Sequence, residues 1–473
     1  MLNTKDIEIL RQLAEKYMTY ATSVQQDKTR KMWYSLNRLQ MEKPMVLIDQ
    51  ICWDEIKDES LLCQVTDPYW RGVEGNLRCW IYKYEHLPVD MVLTPYIRLP
   101  RPTSGWYGGG SYGLNYEVEI LGDKDVKAQR FTDILAEEED LEKIHFGTVV
   151  WDQDQEKLIV ETAHMLFDGV APFRMCGVNM HLGIWDWIAS ARGVTNCYFD
   201  LIDRPEFIHA IMRKLTDCVA NTIDQLNAFK GFDAAYGECH CSVTLSDDLP
   251  NDANEATSDQ AWAFGLAQLF SSVSPEITEE FEMPYMQELF SKFGAIYYGC
   301  CDRLDDRLDV VDRMPNIRKI SCSPWSDREH FAEVLPKKYI MSNKPNPALL
   351  AAGTFDEELI RADLRRTMEA AKRYNVPLEM ILKDISTLQN DPTRLWRWAQ
   401  IAAEETANFG LYVKINPALL KQCGLFDCLF VVFPTFGHGD RNDLSVFVQI
   451  HSVDAEEASA ALLDMGLVAV VDH

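Results

Sequence analysis

Between residues 290 and 390 the chain repeats one pattern: a short apolar run, then a cluster of polar or reactive side chains. Gly294-Ala-Ile-Tyr-Tyr298 leads into Gly-Cys-Cys-Asp, and Ile317-Arg-Lys-Ile320 into Ser-Cys-Ser-Pro-Trp. Lys338-Tyr-Ile-Met341 leads into Ser-Asn-Lys-Pro-Asn-Pro, and Leu378-Glu-Met-Ile-Leu382 into Lys-Asp-Ile-Ser-Thr. Most of these runs are followed by a helical pattern. Such alternation with chemistry at the strand ends is what a (β/α)8 barrel requires, and a doubly wound open sheet would give a similar alternation. Asp203-Arg-Pro-Glu206 reads as a capped helix start before Phe207, Ile208, Ile211, Met212, Leu215 and Val219, and Thr354-Phe-Asp-Glu357 repeats that logic before Ile360, Leu364 and Met368.

A length of 473 residues suits a barrel with additions rather than one small domain. The expected division is an N-terminal elaboration with the first barrel elements over 1–160, the main barrel over 161–410, and a small α/β extension over 411–473 with a helix near 455–465. A surface helix is expected over 5–24, a solvated acidic helix face over 136–142, and a flexible lid at Gly108-Gly-Gly-Ser-Tyr-Gly113. The formal charge of -27 repels phosphate backbones and anionic lipid, which argues against nucleic-acid and membrane-surface partners. Thirteen cysteines in a long chain, with no apolar leader in residues 1–31 and no membrane-length apolar run, read as reduced thiols in a cytoplasmic protein. A homodimer is the default expectation for such an enzyme.

Of the chemical clusters, Tyr297-Tyr-Gly-Cys-Cys-Asp302 is the most suggestive: a thiolate of Cys300 or Cys301 at a strand end can bind zinc or act as a nucleophile, and buried packing is the plain alternative. In Glu238-Cys-His-Cys241, alternation puts Glu238 and His240 on one face and the cysteines on the other, so His240 is a candidate ligand, acid–base group or structural histidine. Lys383-Asp384 can orient a substrate or form a structural salt bridge, and Lys344 can hold an anionic group or pin its Pro-bounded loop. His164 to Asp168 and Arg174, in a Gly/Pro-punctuated stretch, are candidate substrate contacts, as is Trp325 just past a strand end.

Val273-Ser-Pro-Glu276, Glu280-Phe, Pro284-Tyr285, Tyr298-Gly-Cys300, Ser342-Asn-Lys-Pro-Asn-Pro347 and Asp391-Pro392 together resemble the second half of the uroporphyrinogen decarboxylase superfamily, which includes the corrinoid-linked methyltransferases. The resemblance covers about half of the chain at motif level. It implies a barrel enzyme and a zinc site in which Cys300 is the carried-over ligand, with Cys301, Glu276, His240 or Asp384 completing it. The family's zinc histidine is Tyr298 here, and its later zinc cysteine falls near Lys383-Asp384.

The resemblance implies a methyltransferase that moves a methyl group between a small substrate and a corrinoid (cobalamin-type) cofactor carried by a partner protein. His240, Tyr298, Lys383 and Asp384 are then the expected catalytic groups, and His164, Arg174, Trp325 and Lys344 the substrate contacts. The alternative is a metal-free decarboxylase-like lyase for a tetrapyrrole or other polycarboxylate, which needs cations such as Lys344, Lys383, Arg174 and Arg318 to converge. Arg30 and Arg38 do not form that family's N-terminal Arg-rich motif. A catalytically silent corrinoid-binding barrel is the third reading.

Overall fold

The computed structural model describes residues 2–121, 128–233, 237–250, 255–409, 429–434, 446–451 and 468–471. The chain divides into two units, Met1–Ala403 and Glu404–His473. In the second, strands Leu429–Pro434 and Val446–His451 pair antiparallel, and Val446–His451 pairs parallel with Val468–Val471. The helix expected near 455–465 lies outside the described residues.

The first unit is built on a seven-stranded, all-parallel sheet: β1 (Met45–Ile48), β2 (Met180–Leu182), β3 (Trp262–Gly265), β4 (Ala295–Tyr298), β5 (Ile317–Cys322), β6 (Ile340–Asn343) and β7 (Leu378–Leu382). Their order across the sheet is β1-β7-β6-β5-β4-β3-β2. Strands buried on both faces read as continuous apolar runs, and β1, β3, β4, β6 and β7 are buried at every position. β1 pairs with β7 from Met45↔Glu379 to Ile48↔Leu382, which ties the N-terminal region into the same sheet as the late strands.

Helix positions follow local capping. The helix expected over 5–24 is α1 (Thr4–Ala21), and a second helix that the sequence reading did not expect, α2 (Val24–Asn37), follows it because the Ser23 side chain accepts from Gln26 N and starts a new helix. α1 buries Leu10, Ala14, Tyr17 and Ala21, a helical stripe, against α3 (Pro68–His86). α4 (Pro205–Ala228) begins with Pro205, but Asp203 ends the preceding helix and Arg204 occupies the cap without a side-chain bond. α5 (Glu357–Tyr374) is capped by Asp356, which accepts from Glu358 N and Leu359 N, rather than by Thr354. Such a cap contributes about 1 kcal/mol.

The expected lid is a structural turn: Gly109–Tyr112 is a short 3-10 helix, Tyr112 is fully buried, and its hydroxyl donates to Thr222 Oγ1 at 3.3 Å. The acidic stretch forms a 3-10 helix over Glu138–Lys143. Among the described residues no helix is long and apolar enough to cross a membrane.

Candidate active site at the strand ends

The site forms where the loops after β4 and β7 meet the tip of a hairpin, strands Glu238–Cys239 and Ser242–Val243. Its parts are set by backbone that ordinary residues avoid. Gly299 has φ 87°, and a Cβ there would lie 2.5 Å from Leu304 Cδ1, so glycine alone permits the turn that leads into Cys300. Cys300 N then donates to Asp302 Oδ1 at 2.6 Å, and Ser321 Oγ donates to Cys300 O at 2.8 Å. His240 (φ 55°) and Asp384 (φ 56°) are also left-handed. Clustering of such conformations is characteristic of functional sites.

These turns converge on the Cys300 sulfur, which is almost fully buried. Lys383 Nζ donates to it at 2.8 Å, His240 Nε2 lies 3.7 Å away, and Cys301 Sγ lies 3.6 Å away. Cys301 donates to Asp384 Oδ2 at 3.0 Å, and Asp384 pairs with Lys383 at 3.2 Å. The His240 ring stacks on Phe264, with centroids 4.1 Å apart and planes at 18°.

Charge follows from this geometry. Contact with Cys301 comes first in lowering the Cys300 thiol, against the effect of burial, and His240 and Lys383 lower it further, so the Cys300 sulfur is held as a thiolate well below the ordinary thiol range. Cys301 is raised by the same contact with Cys300 and by burial, and stays a thiol. Burial opposes charge on Lys383, but the Cys300 thiolate outweighs it and holds the ammonium above its usual value. Burial likewise opposes charge on His240, while hydrogen bonds with Cys241 and Cys300 hold its imidazolium up to about 9. Burial and the charge of His240 push the neighbouring His181 down to about 4, so one imidazole is charged and the other neutral, their centroids 5.9 Å apart. Paired groups driven apart in this way are the pattern of an acid–base site.

Beneath this layer lies a second polar layer. Lys344 Nζ donates to Ser342 Oγ at 2.7 Å and to the Tyr297 hydroxyl, whose oxygen lies 3.7 Å from Cys241 Sγ. Lys319 Nζ pairs with Glu379 Oε2 at 2.8 Å and donates to Ser242 Oγ at 2.7 Å, with both charges fully buried. The apolar sequence around Glu379 was the signal that could have revealed this pair, since a lone carboxylate inside a buried strand needs a cation.

The structure brings together His240, Cys300, Cys301, Lys383 and Asp384, with Lys344 in the layer below. It places the other expected residues elsewhere. Tyr298 projects from the opposite face of β4 to Tyr297, as strand alternation dictates, and donates to Glu282 Oε2 at 2.9 Å. Glu276 is exposed in the first turn of helix Pro275–Phe281 and bonds with Ser274, so it does not join the cysteines. Trp325 is 75% exposed because the Ser323–Ser326 turn directs it outward. His164 lies on helix Gln153–Phe167 rather than in a loop and bonds Asp168 at 3.1 Å, while the Arg174 guanidinium covers the Tyr96 ring at 4.5 Å.

For zinc, the test is the donor arrangement. Among the described residues no group of three or more His, Cys, Asp or Glu side chains could hold a metal ion. Cys300 Sγ, His240 Nε2 and Asp384 Oδ2 instead surround Lys383 Nζ at 2.8, 3.4 and 3.2 Å. The ammonium takes the place a metal would need, so these residues as arranged do not fit zinc.

No protein-family model matches the chain, and no curated protein matches it. Among solved structures it is similar to a methyltransferase from Methanosarcina mazei, with a TM-score of 0.43 and 12% identity, over 81% of this chain and 98% of that chain.

Proposed function

We propose that the chain is a group-transfer enzyme that takes a methyl group from a small substrate, with the Cys300 thiolate as nucleophile. The observation that carries this reading is the ion-paired thiolate at the carboxyl end of a parallel strand, next to a protonated His240. A soft, partly desolvated thiolate suits attack at a methyl carbon. In the step proposed, the Cys300 sulfur forms a bond to the methyl carbon as the carbon–heteroatom bond breaks. The electron pair leaves with the heteroatom, which takes the proton of His240. Lys383 holds the thiolate before attack and loses its partner as the charge is spent.

The methyl group must then pass to an acceptor. In this reading the acceptor is a second substrate, a reduced corrinoid on a partner protein, whose cobalt supplies the strong nucleophile needed to relieve a thioether.

The barrel is part of the same proposal. Sequential parallel strands with β1 beside β7 follow barrel order. Lys383 also reaches Cys300 across two intervening strands, whose backbones would stand about 14 Å apart in a flat sheet. Such reach supports a curled sheet.

The lyase reading is less well supported. Arg318 pairs with Asp248 and Arg174 covers Tyr96, so of the four cations this reading needs only Lys344 stands near Lys383, and it is engaged by Ser342 and Tyr297.

The test is anaerobic incubation of the full chain with methylcobalamin, and separately with methylated amines, thiols and methoxyl compounds. The expected result is a mass gain of one methylene on the Cys300 peptide, accompanied by a Co(I) spectrum in the first case and absent in Cys300→Ser. An unmodified Cys300 peptide under every donor overturns the reading.

A further inference from the structure

A cavity of about 190 Å3 lies between α1, α3 and the hairpin, with Tyr17, Trp80, Thr94, Arg98, Asn179 and Glu238 among its walls. A neighbouring cavity of about 210 Å3 shares Tyr17, Trp80 and Arg98 with it. Neither is lined by Cys300 or Lys383.

The polar groups of the first cavity are mostly engaged. Arg98 pairs with Asp233. Asn179 Nδ2 donates to Glu238 O at 3.1 Å. Thr94 Oγ1 donates to Tyr96 O at 2.7 Å, so at the 3.0 Å contact the Tyr17 hydroxyl must be the donor to Thr94.

The Glu238 carboxyl differs from these groups: among the described residues it forms no hydrogen bond and no ion pair within contact distance. Lys83 and Arg98 act on it only through their fields, opposed by Asp49, and burial raises it to about 7. Glu238 is half-buried, so its carboxyl is only partly solvated and has no donor among the described residues, and a donor brought by a ligand relieves that cost. The donor chemistry is narrowed by the walls, because the carboxyl shares the cavity with the aromatic rings of Tyr17 and Trp80. Aromatic faces beside a carboxylate favour an ammonium group over a neutral one. Trp80 already shows this affinity: Lys83 Nζ stands 4.6 Å from its ring centroid. A cavity of roughly 150 Å3 can admit a molecule the size of benzene, so a ligand of a few heavy atoms fits.

We propose that this cavity is a binding site for a small organic cation, a protonated or methylated amine, with Glu238 as its counter-ion and Tyr17 and Trp80 as its aromatic walls. Glu238 stands two residues before His240 on the same hairpin, so occupancy bears on the arm that carries His240 to Cys300. The proposal does not depend on methyl transfer.

Calorimetric titration of the full chain with trimethylammonium chloride tests it, beside tert-butanol as a neutral analogue and sodium chloride at the same ionic strength. Saturable binding is expected for the ammonium only, weakened at least about tenfold in Glu238→Gln. Equal binding of the neutral analogue, absence of binding, or unchanged affinity in Glu238→Gln overturns the proposal. Should that variant fail to fold, Trp80→Leu is the second arm: a loss of affinity is expected, and unchanged affinity overturns it. Cys300→Ser is expected to bind the ammonium as the native chain does, which separates this site from the methyl-transfer reading.

Discussion

The ammonium of Lys383 lies 2.8 Å from the sulfur of Cys300, joining the loop after β7 to the loop after β4. Neither residue would be charged so deep in the protein without the other, and in the function proposed above they form, with His240, a nucleophile that needs no separate deprotonation. Alkylation of Cys300 by iodoacetamide, followed by peptide mass spectrometry, should therefore keep a level rate between about pH 6 and 8. In Lys383→Met the rate should climb with pH as for an ordinary thiol, and a level profile in that variant would contradict the assigned role of Lys383.

His240 gives a second, opposite dependence on pH. Its value in the folded chain, about 9, lies above the ordinary 6.5, so its favourable contribution is whole below 6.5 and is lost as pH rises through 9. The stability difference between the native chain and His240→Gln, measured by urea unfolding, should narrow across that window. A constant difference would show that His240 is not held in the charged form.

Lys319 and Glu379 form an ion pair whose side chains are both fully buried. Lys319→Met or Glu379→Gln alone should cost about 3–5 kcal/mol, because each strands its partner. The double variant Lys319→Met with Glu379→Met should recover most of that loss. Additive losses in urea midpoints would mean that the two charges do not depend on each other.

Gly299→Ala forces an L side chain into φ 87° and against Leu304. A loss of about 1–3 kcal/mol is expected, together with loss of the level alkylation profile as Cys300 shifts. Gly353→Ala meets nothing within 4 Å and should lie within about 0.5 kcal/mol of the native chain. Equal behaviour of the two variants would remove the claim that the turn sets the thiolate.

Part of the sheet was legible, because buried parallel strands leave uninterrupted apolar runs: Leu378–Leu382 was readable to the residue. Helix starts were less so, since Asp203 and Thr354 looked like caps while Arg204 and Asp356 occupy those positions. Local sequence offers several oxygen-bearing side chains near each start, and tertiary packing chooses among them.

Cys300, His240 and Lys383 stood out as reactive types at strand ends, yet nothing in the sequence joined residues that lie far apart along it. Trp325 looked like a pocket residue by position alone, and a single turn sent it outward. Lys319 and Glu379 passed unnoticed because a charge inside a strand is ordinarily a solvent-facing residue, and only the register of β5 to β7 shows them meeting.

The pairing of β1 with β7 has a consequence for how the chain is made. Residue 45 waits for residue 379, so the sheet cannot gain its outermost neighbour until most of the polypeptide has left the ribosome. Until then the edge of β1 is an open template, and the same edge of β7 is laid bare in any fragment cut after residue 48. Synthesis of such a protein is an interval of exposure to aggregation that lengthens with every residue between the two strands, and chaperone demand should fall on that interval rather than on the finished fold.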